Sequence, residues 1–255
     1  MNSDEQNGSI SSSINNKIAT LTFGHPLGNS FPSSLLQKFT SEINRLSENN
    51  DVAIIILKNE GNGPFCGGAS FQESLNIANL EEGKLFFSGF ANVINAMRKC
   101  TKLIVGNVQG KAVGGGVGLV AACDFVFATE NASIKLSELT IGIGPFVIEP
   151  VITKKIGKTA LTELSLLAKD WKNAAWAKEK GLYNYVFNDA TSLEENLNEF
   201  CTTLASYNAD ALTEMKKVFW ENTAHWDDLL LARAAISGKL VLSDFTKNAL
   251  AGFRK

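Results

Sequence analysis

Apolar residues recur along the chain with two periods, and the switches between them outline its elements. From Ile18 to Phe23 small or apolar residues alternate with threonines, the period of a strand with one buried face. The preceding Asn15 and Asn16 predict a hairpin turn. After an irregular stretch from His25 to Ser30, Ser33 stands where it can cap a helix with apolar positions Leu36, Phe39, Ile43 and Leu46, ending near Asn49 and Asn50. Val52 to Leu57 is an unbroken apolar run rich in β-branched residues, which predicts a strand covered on both faces. Helical spacing returns over 84–99 through Phe87, Phe90, Ile94 and Met97, and 103–108 is another strand. Short strands follow at 125–128 and 133–136. Beyond Pro145 the pattern is helical, with segments at 171–180 (stopped by Gly181), 194–205, 209–220 and 227–242, and a short apolar stretch at 182–187.

This alternation predicts an α/β fold with a largely parallel sheet and crossover helices. Residues 1–13, rich in Ser, Asn and acidic side chains, predict a flexible start, 14–190 an α/β core, and 191–255 a helical C-terminal region. With 255 residues and 45% hydrophobic content, the chain can bury a sizeable core without staples. Its 24 Lys and Arg against 26 Asp and Glu leave a net charge of −2, too little positive field to attract nucleic acid or an acidic membrane, so a small molecule is the expected partner. Cys66, Cys100, Cys123 and Cys201 lie far apart, with no spacing that reads as a metal site, and are expected to be reduced thiols, Cys66 as a packing residue. The N-terminus lacks the pattern of a signal peptide and no apolar run is long enough to span a bilayer, so a cytoplasmic location is expected.

The candidate chemistry lies in two glycine-rich loops, Gly61 to Phe71 and Gly110 to Leu119, each following an apolar strand. Glycine lets main chain approach a ligand closely and present its N–H groups as donors. The second loop is expected to run into a helix, 116–123, whose first N–H groups add a positive end. A dinucleotide loop would need a third glycine where Leu119 stands, and no Walker lysine is followed by Ser or Thr. His25 and His225 lack the neighbours that a Ser or Cys nucleophile requires.

Three motifs in this order, 61–69 (Gly-Asn-Gly-Pro-Phe-Cys-Gly-Gly-Ala), 110–116 (Gly-Lys-Ala-Val-Gly-Gly-Gly, followed by Ala-Ala-Cys-Asp at 121–124) and 138–145 (Glu-Leu-Thr-Ile-Gly-Ile-Gly-Pro), resemble the crotonase, or enoyl-CoA hydratase and isomerase, superfamily over almost the whole chain. The resemblance implies a crotonase fold, with repeated β-β-α spiral turns and a helical C-terminal region. It further implies homotrimers or homohexamers, with Phe219, Trp220, Trp226, Leu229 and Leu230 offering contact surface. The implied substrate is an acyl-CoA, the coenzyme being part of the substrate rather than a resident cofactor. The backbone N–H groups of Ala69 and Gly115 fall at the family's oxyanion hole, and Glu138 at its catalytic carboxyl. His25, Pro26, Leu27, Gly28, Gly67, Ser70, Phe71, Phe253 and Lys255 fall where the family meets coenzyme A, and Phe86, Phe90, Val117, Gly118 and Phe146 are expected to line the acyl pocket.

Two departures bear on the reaction. Family hydratases carry a second glutamate where this chain has Gly118, which leaves Glu138 alone unless Glu149 reaches the pocket as a second acid. One carboxyl suffices to move a double bond, so isomerisation is the leading expectation, with hydration (including of methylglutaconyl-CoA) and non-catalytic acyl-CoA binding as alternatives. Ser70-Phe-Gln-Glu73 also lacks the family's phosphate-binding lysine, for which Lys17, Lys111, Arg254 or Lys255 could compensate.

Overall fold

The computed structural model describes residues 8–252, so the expected coenzyme contacts Phe253 and Lys255, and Arg254, lie outside the described residues. Strand β1 (Ser9–Asn15) pairs antiparallel with β2 (Ile18–Gly24), and Asn16 and Lys17, both at positive φ, make the two-residue turn between them. Residues 9–13 are therefore strand, where the sequence suggested a flexible start. Their serines disguise an edge strand, which needs only main-chain pairing and an occasional apolar anchor such as Ile10. Helix α1 (Ser33–Glu48) leads to β3 (Ile54–Asn59), the short α2 (Phe71–Ser74) and long α3 (Leu80–Lys99) lead to β4 (Leu103–Val108), and β2, β3 and β4 run parallel.

Two successive turns of the chain then repeat one pattern. Strand β4 is followed by β5 (Ala112–Val113) and helix α4 (Gly115–Ala122). Strand β6 (Phe125–Thr129) is followed by β7 (Ser133–Lys135), a 3-10 turn (Glu138–Ile141) and helix α5 (Glu149–Leu166). The first strand of each unit joins the large sheet, in the order β1-β2-β3-β4-β6-β9 with β9 at Tyr185–Phe187. The second joins a small sheet, β5-β7-β8, with β8 at Lys172–Asn173. This strand-strand-helix repeat is the spiral that the motifs implied.

Strand β3 shows why its sequence is continuously apolar. Ile55 and Leu57 point into the main core, while Ile54 and Ile56 meet Leu193, Leu197 and Cys201 of helix α7 (Ala190–Ala205) on the other face. Between β8 and β9, helix α6 (Ala174–Glu179) starts later than the expected residue 171, because Lys172 and Asn173 pair with β7 and the Asn173 side chain then caps the Trp176 N–H at 2.9 Å. Helix α1 likewise is not capped by Ser33. Glu73 of the short helix α2 accepts from the Ser33 N–H at 2.9 Å and from its hydroxyl at 2.6 Å, placing an acid at the positive helix end.

The remaining helices, α8 (Ala209–Phe219), α9 (Trp226–Leu240) and α10 (Asp244–Ala251), fold back on the core. Trp220, Trp226 and Leu230 are buried within this chain, so of the aromatic pair at 219–220 only Phe219 is left at the surface. None of the described helices is long and apolar enough to cross a membrane.

One ion pair ties this tail to the sheet. Lys216 of α8 donates to Asp124 Oδ2 at 2.8 Å and to the Lys102 carbonyl at 2.8 Å. Asp124 also accepts from the Trp220 Nε1–H at 2.7 Å and from the Ile104 N–H at 2.7 Å. Both charged side chains are almost wholly buried, at 2% and 4% exposure, so each depends on the other for solvation. Lys216→Met should destabilise the fold by roughly 3–5 kcal/mol by stranding the Asp124 carboxylate. A urea midpoint close to the parent's would show that the pair does not hold the tail.

Candidate active site

Because β2, β3 and β4 are parallel, the loops after them emerge at one end of the sheet. These are residues 25–30, 60–70 and 109–114. The first packs against the second: Asn29 Nδ2–H donates to the Pro64 carbonyl at 2.8 Å, and the Gly67 N–H donates to the Asn29 carbonyl. A Cβ at Gly67 would lie 3.0 Å from the Gly28 carbonyl oxygen. Lys17 sits at the opposite end of β2, which removes it as a partner for anything bound here. Lys111 stays beside the loops, with its ammonium 5.0 Å from the centre of the Trp171 ring.

A cavity of about 220 Å³ opens where the loops meet α3 and the 138–148 segment. Phe31 N–H donates to the Gly68 carbonyl at 2.8 Å and Ser70 N–H donates to the Phe31 carbonyl at 2.9 Å. This single parallel bridge turns the intervening Ala69 N–H to the side of the extended backbone away from Phe31. Gly115 is the first residue of α4, so its N–H has no intrahelical acceptor. Both residues are on the cavity wall, and neither N–H has an acceptor among the described residues.

The close approach of the two loops needs glycine. Gly68 has φ +89°, and a Cβ on it would stand 3.0 Å from the Val113 carbonyl oxygen and 3.7 Å from the Gly115 nitrogen. A Cβ at Gly115 would enter the Phe90 ring at 2.4 Å. Cys66 supports the turn from behind, its sulfur accepting the Gly68 N–H at 3.4 Å, and burial pushes its thiol up to about 12. It is a packing residue, as its sequence context suggested.

Glu138 enters from the 3-10 turn. A Cβ at Gly114 would be 2.9 Å from its Oε1, so the carboxyl lies directly against the second glycine loop. The residue as a whole is half-buried, but its Oε2 is inaccessible to solvent and has no hydrogen-bond partner among the described residues. Burial without a counter-charge pushes its pKa from 4.5 up to about 7, opposed only by a hydrogen bond from its own main chain. The turn is held by the tail, because a Cβ at Gly142 would meet Phe245 and Thr246 of α10 within 2.6 Å. Glu138 is the only titratable side chain on the described cavity wall.

The structure brings Ala69, Gly115, Glu138, Gly67, Ser70, Phe71, Phe86, Phe90 and Phe146 to this one cavity. It does not bring Val117 and Gly118, which are buried inside α4. A Cβ at Gly118 would lie 2.5 Å from Ile148 Cγ2, so an isoleucine fills the space beside it. Glu149 is also absent from the wall. It accepts from Lys158 and from the Thr153 hydroxyl, with Arg233 3.8 Å away, and these partners outweigh its partial burial and hold its carboxyl below the usual range. His25 to Gly28 form an adjoining turn rather than cavity wall, with the His25 N–H donating to Asn29 Oδ1 at 2.8 Å.

Sequence reading missed Asn29, Ile148 and Ser237. Asn29 left one signal, a polar residue able to take positive φ in an irregular stretch, and it does so at 53°. Ser237 reaches the wall through tertiary packing alone: α9 crosses α3 so closely that a Cβ at Gly83 would lie 2.7 Å from the Gly238 carbonyl.

A family model described as "Enoyl-CoA hydratase/isomerase" matches residues 13–246. A curated relative from Bacillus subtilis (strain 168), named "Probable enoyl-CoA hydratase", is 24% identical over 246 residues, 96% of this chain and 95% of its own length. The peroxisomal "Delta(3,5)-Delta(2,4)-dienoyl-CoA isomerase" of Arabidopsis thaliana is 26% identical over 196 residues, 71% of this chain and 69% of its own. The crystal structure of enoyl-CoA hydratase from Bacillus halodurans superposes with a TM-score of 0.89 at 18% identity, covering 96% of this chain and 99% of the other, which establishes the crotonase fold. With the family model spanning most of its length, this chain belongs to the enoyl-CoA hydratase/isomerase family.

Proposed function

We propose that the protein moves a carbon–carbon double bond along the acyl chain of a coenzyme A thioester, with Glu138 as its one acid–base group. The observation that carries this reading is the desolvated carboxyl, the one charged side chain among the described residues of the cavity wall. In the 3-enoyl to 2-enoyl direction, the Glu138 carboxylate takes a proton from C2. The C2–H electron pair forms the C1=C2 bond of a dienolate, and the carbonyl π pair moves onto the thioester oxygen as negative charge. The N–H groups of Ala69 and Gly115 hold that oxygen. Glu138 then returns the proton to C4: the oxygen pair re-forms the carbonyl, the C1=C2 pair shifts to C2=C3 and the C3=C4 pair takes the proton, so substrate and product have the same atoms. Two preorganised donors in a site shielded from water stabilise such an oxyanion by several kcal/mol, with removal of one donor typically worth about 3–4 kcal/mol.

A pKa near 7 suits both halves of this proton transfer at neutral pH, because the group is neither too weak a base to remove the proton nor too weak an acid to return it. Adding water would need a second group to hold and polarise it. Gly118 offers no side chain, Ile148 fills the space next to it, and Glu149 is engaged elsewhere. Hydration is the second reading, favoured by relatives such as the human mitochondrial "Methylglutaconyl-CoA hydratase", 30% identical over 132 residues, 51% of this chain and 39% of its own. A purely binding role leaves the buried carboxyl without a purpose, although it costs stability.

That cost has a definite sign. The folded pKa lies above the unfolded value of 4.5, so the native state holds the proton more tightly and loses this relative stability as pH rises from about 5 through about 7. Glu138→Gln should therefore raise stability at pH 8, by on the order of 3 kcal/mol, while leaving it little changed near pH 4. Denaturant melts at the two pH values measure this difference, and equal effects at both would mean that the carboxyl is solvated in the native protein. The same variant should lower kcat for a 3-enoyl-CoA by roughly 10²–10⁴-fold and leave the Kd for a saturated acyl-CoA within a few-fold. Retained turnover would remove Glu138 from the reaction. In the parent enzyme kcat/KM should climb with pH through about 7 and then level, as the carboxylate forms. A flat profile between pH 5 and 8 would contradict a single base of this pKa.

A further inference from the structure

We propose that Phe86 is the partition that sets the acyl-chain length this protein accepts, an inference that rests on reading the cavity as the acyl-thioester site. A second cavity, of about 280 Å³, lies across helix α3 from the first. The two walls have one described residue in common, Phe86. Helical spacing explains how one helix serves both. Phe86, Phe87 and Phe90 face the first cavity, whereas Glu82, Leu85, Gly89 and Asn92 line the second, and Phe86 stands on the boundary between those two stripes. The short helix α2 is divided in the same way, with Phe71 and Ser74 on the first wall and Glu73 on the second.

The cavities differ in chemistry as well as position. The wall of the first is aromatic, aliphatic and glycine apart from Glu138 and a few hydroxyls. The second mixes apolar groups, Ile77 and Leu85 (74% exposed) among them, with the exposed carboxamides of Gln37, Asn76 and Asn92 and the carboxylates of Glu73 and Glu82. Phe86 itself is 7% exposed and braced by Phe87, their rings meeting edge-on at 5.0 Å. An apolar chain growing away from the thioester therefore fills the first cavity and stops at a supported aromatic ring. A chain of short or medium length that ends at Phe86 is the substrate class this geometry fits. Opening the partition joins the two cavities and lets longer chains pass α3.

Binding of saturated acyl-CoA thioesters of increasing chain length, measured by isothermal titration calorimetry, tests the partition without any chemical step. For the parent protein, affinity should rise about fourfold per added methylene, the equivalent of ~0.8 kcal/mol for burying a CH₂, and then level once the chain reaches Phe86. Phe86→Ala should move the levelling point to longer chains and Phe86→Trp to shorter ones. The Trp variant keeps the wall filled, so the test survives if Phe86→Ala fails to fold. The same levelling point in the parent and in either folded variant would overturn the partition while leaving the acyl site in place. No dependence on chain length in the parent would overturn both.

Discussion

A carboxyl group held out of water, with no cation beside it among the described residues, is the constraint on which this site depends. Such a group is unstable as an anion and so keeps its proton up to about neutral pH, at the expense of fold stability above that point. The surroundings preserve this condition. Glycine at 114 leaves room for the carboxyl against the main chain, Phe90 covers Gly115, and Ile148 closes the space beside Gly118, where a second acid would otherwise stand. Lys158 and Arg233 neutralise the Glu149 carboxylate instead, away from the cavity.

The rest of the fold fixes the position of this group relative to two main-chain donors. Parallel strands deliver the glycine loops to one end of the sheet, and a single bridge to Phe31 sets the direction of the Ala69 N–H. The helical tail is part of the same construction. Its helix α10 packs on the 138–142 turn, α9 lies against α3 at a glycine–glycine crossing, and the Lys216–Asp124 pair ties α8 to the sheet. Loosening the tail would therefore be felt at Glu138, although the two are separate in sequence.

Much of this was legible in the residues. Continuous apolar runs gave the central strands, and motif order led to Glu138, Ala69 and Gly115, because those positions are set by local loop chemistry. What stayed hidden depends on contacts between distant segments. The serine-rich strand β1 is defined by pairing rather than by apolar pattern, Glu73 caps a helix forty residues earlier, and Ser237 reaches the cavity only because two glycines let helices touch. Glu149 shows the reverse case: its sequence position suggested a second acid, and the nearby Lys158 and Thr153 decide against it.

The most direct measurement is the identity of the product formed from a 3-enoyl-CoA labelled with deuterium at C2, followed by mass spectrometry and NMR. A one-acid site gives a 2-enoyl-CoA with no water added, and part of the deuterium lost from C2 reappears at C4, carried there by the shielded carboxyl. A product heavier by one water, bearing a hydroxyl at C3, would contradict that account.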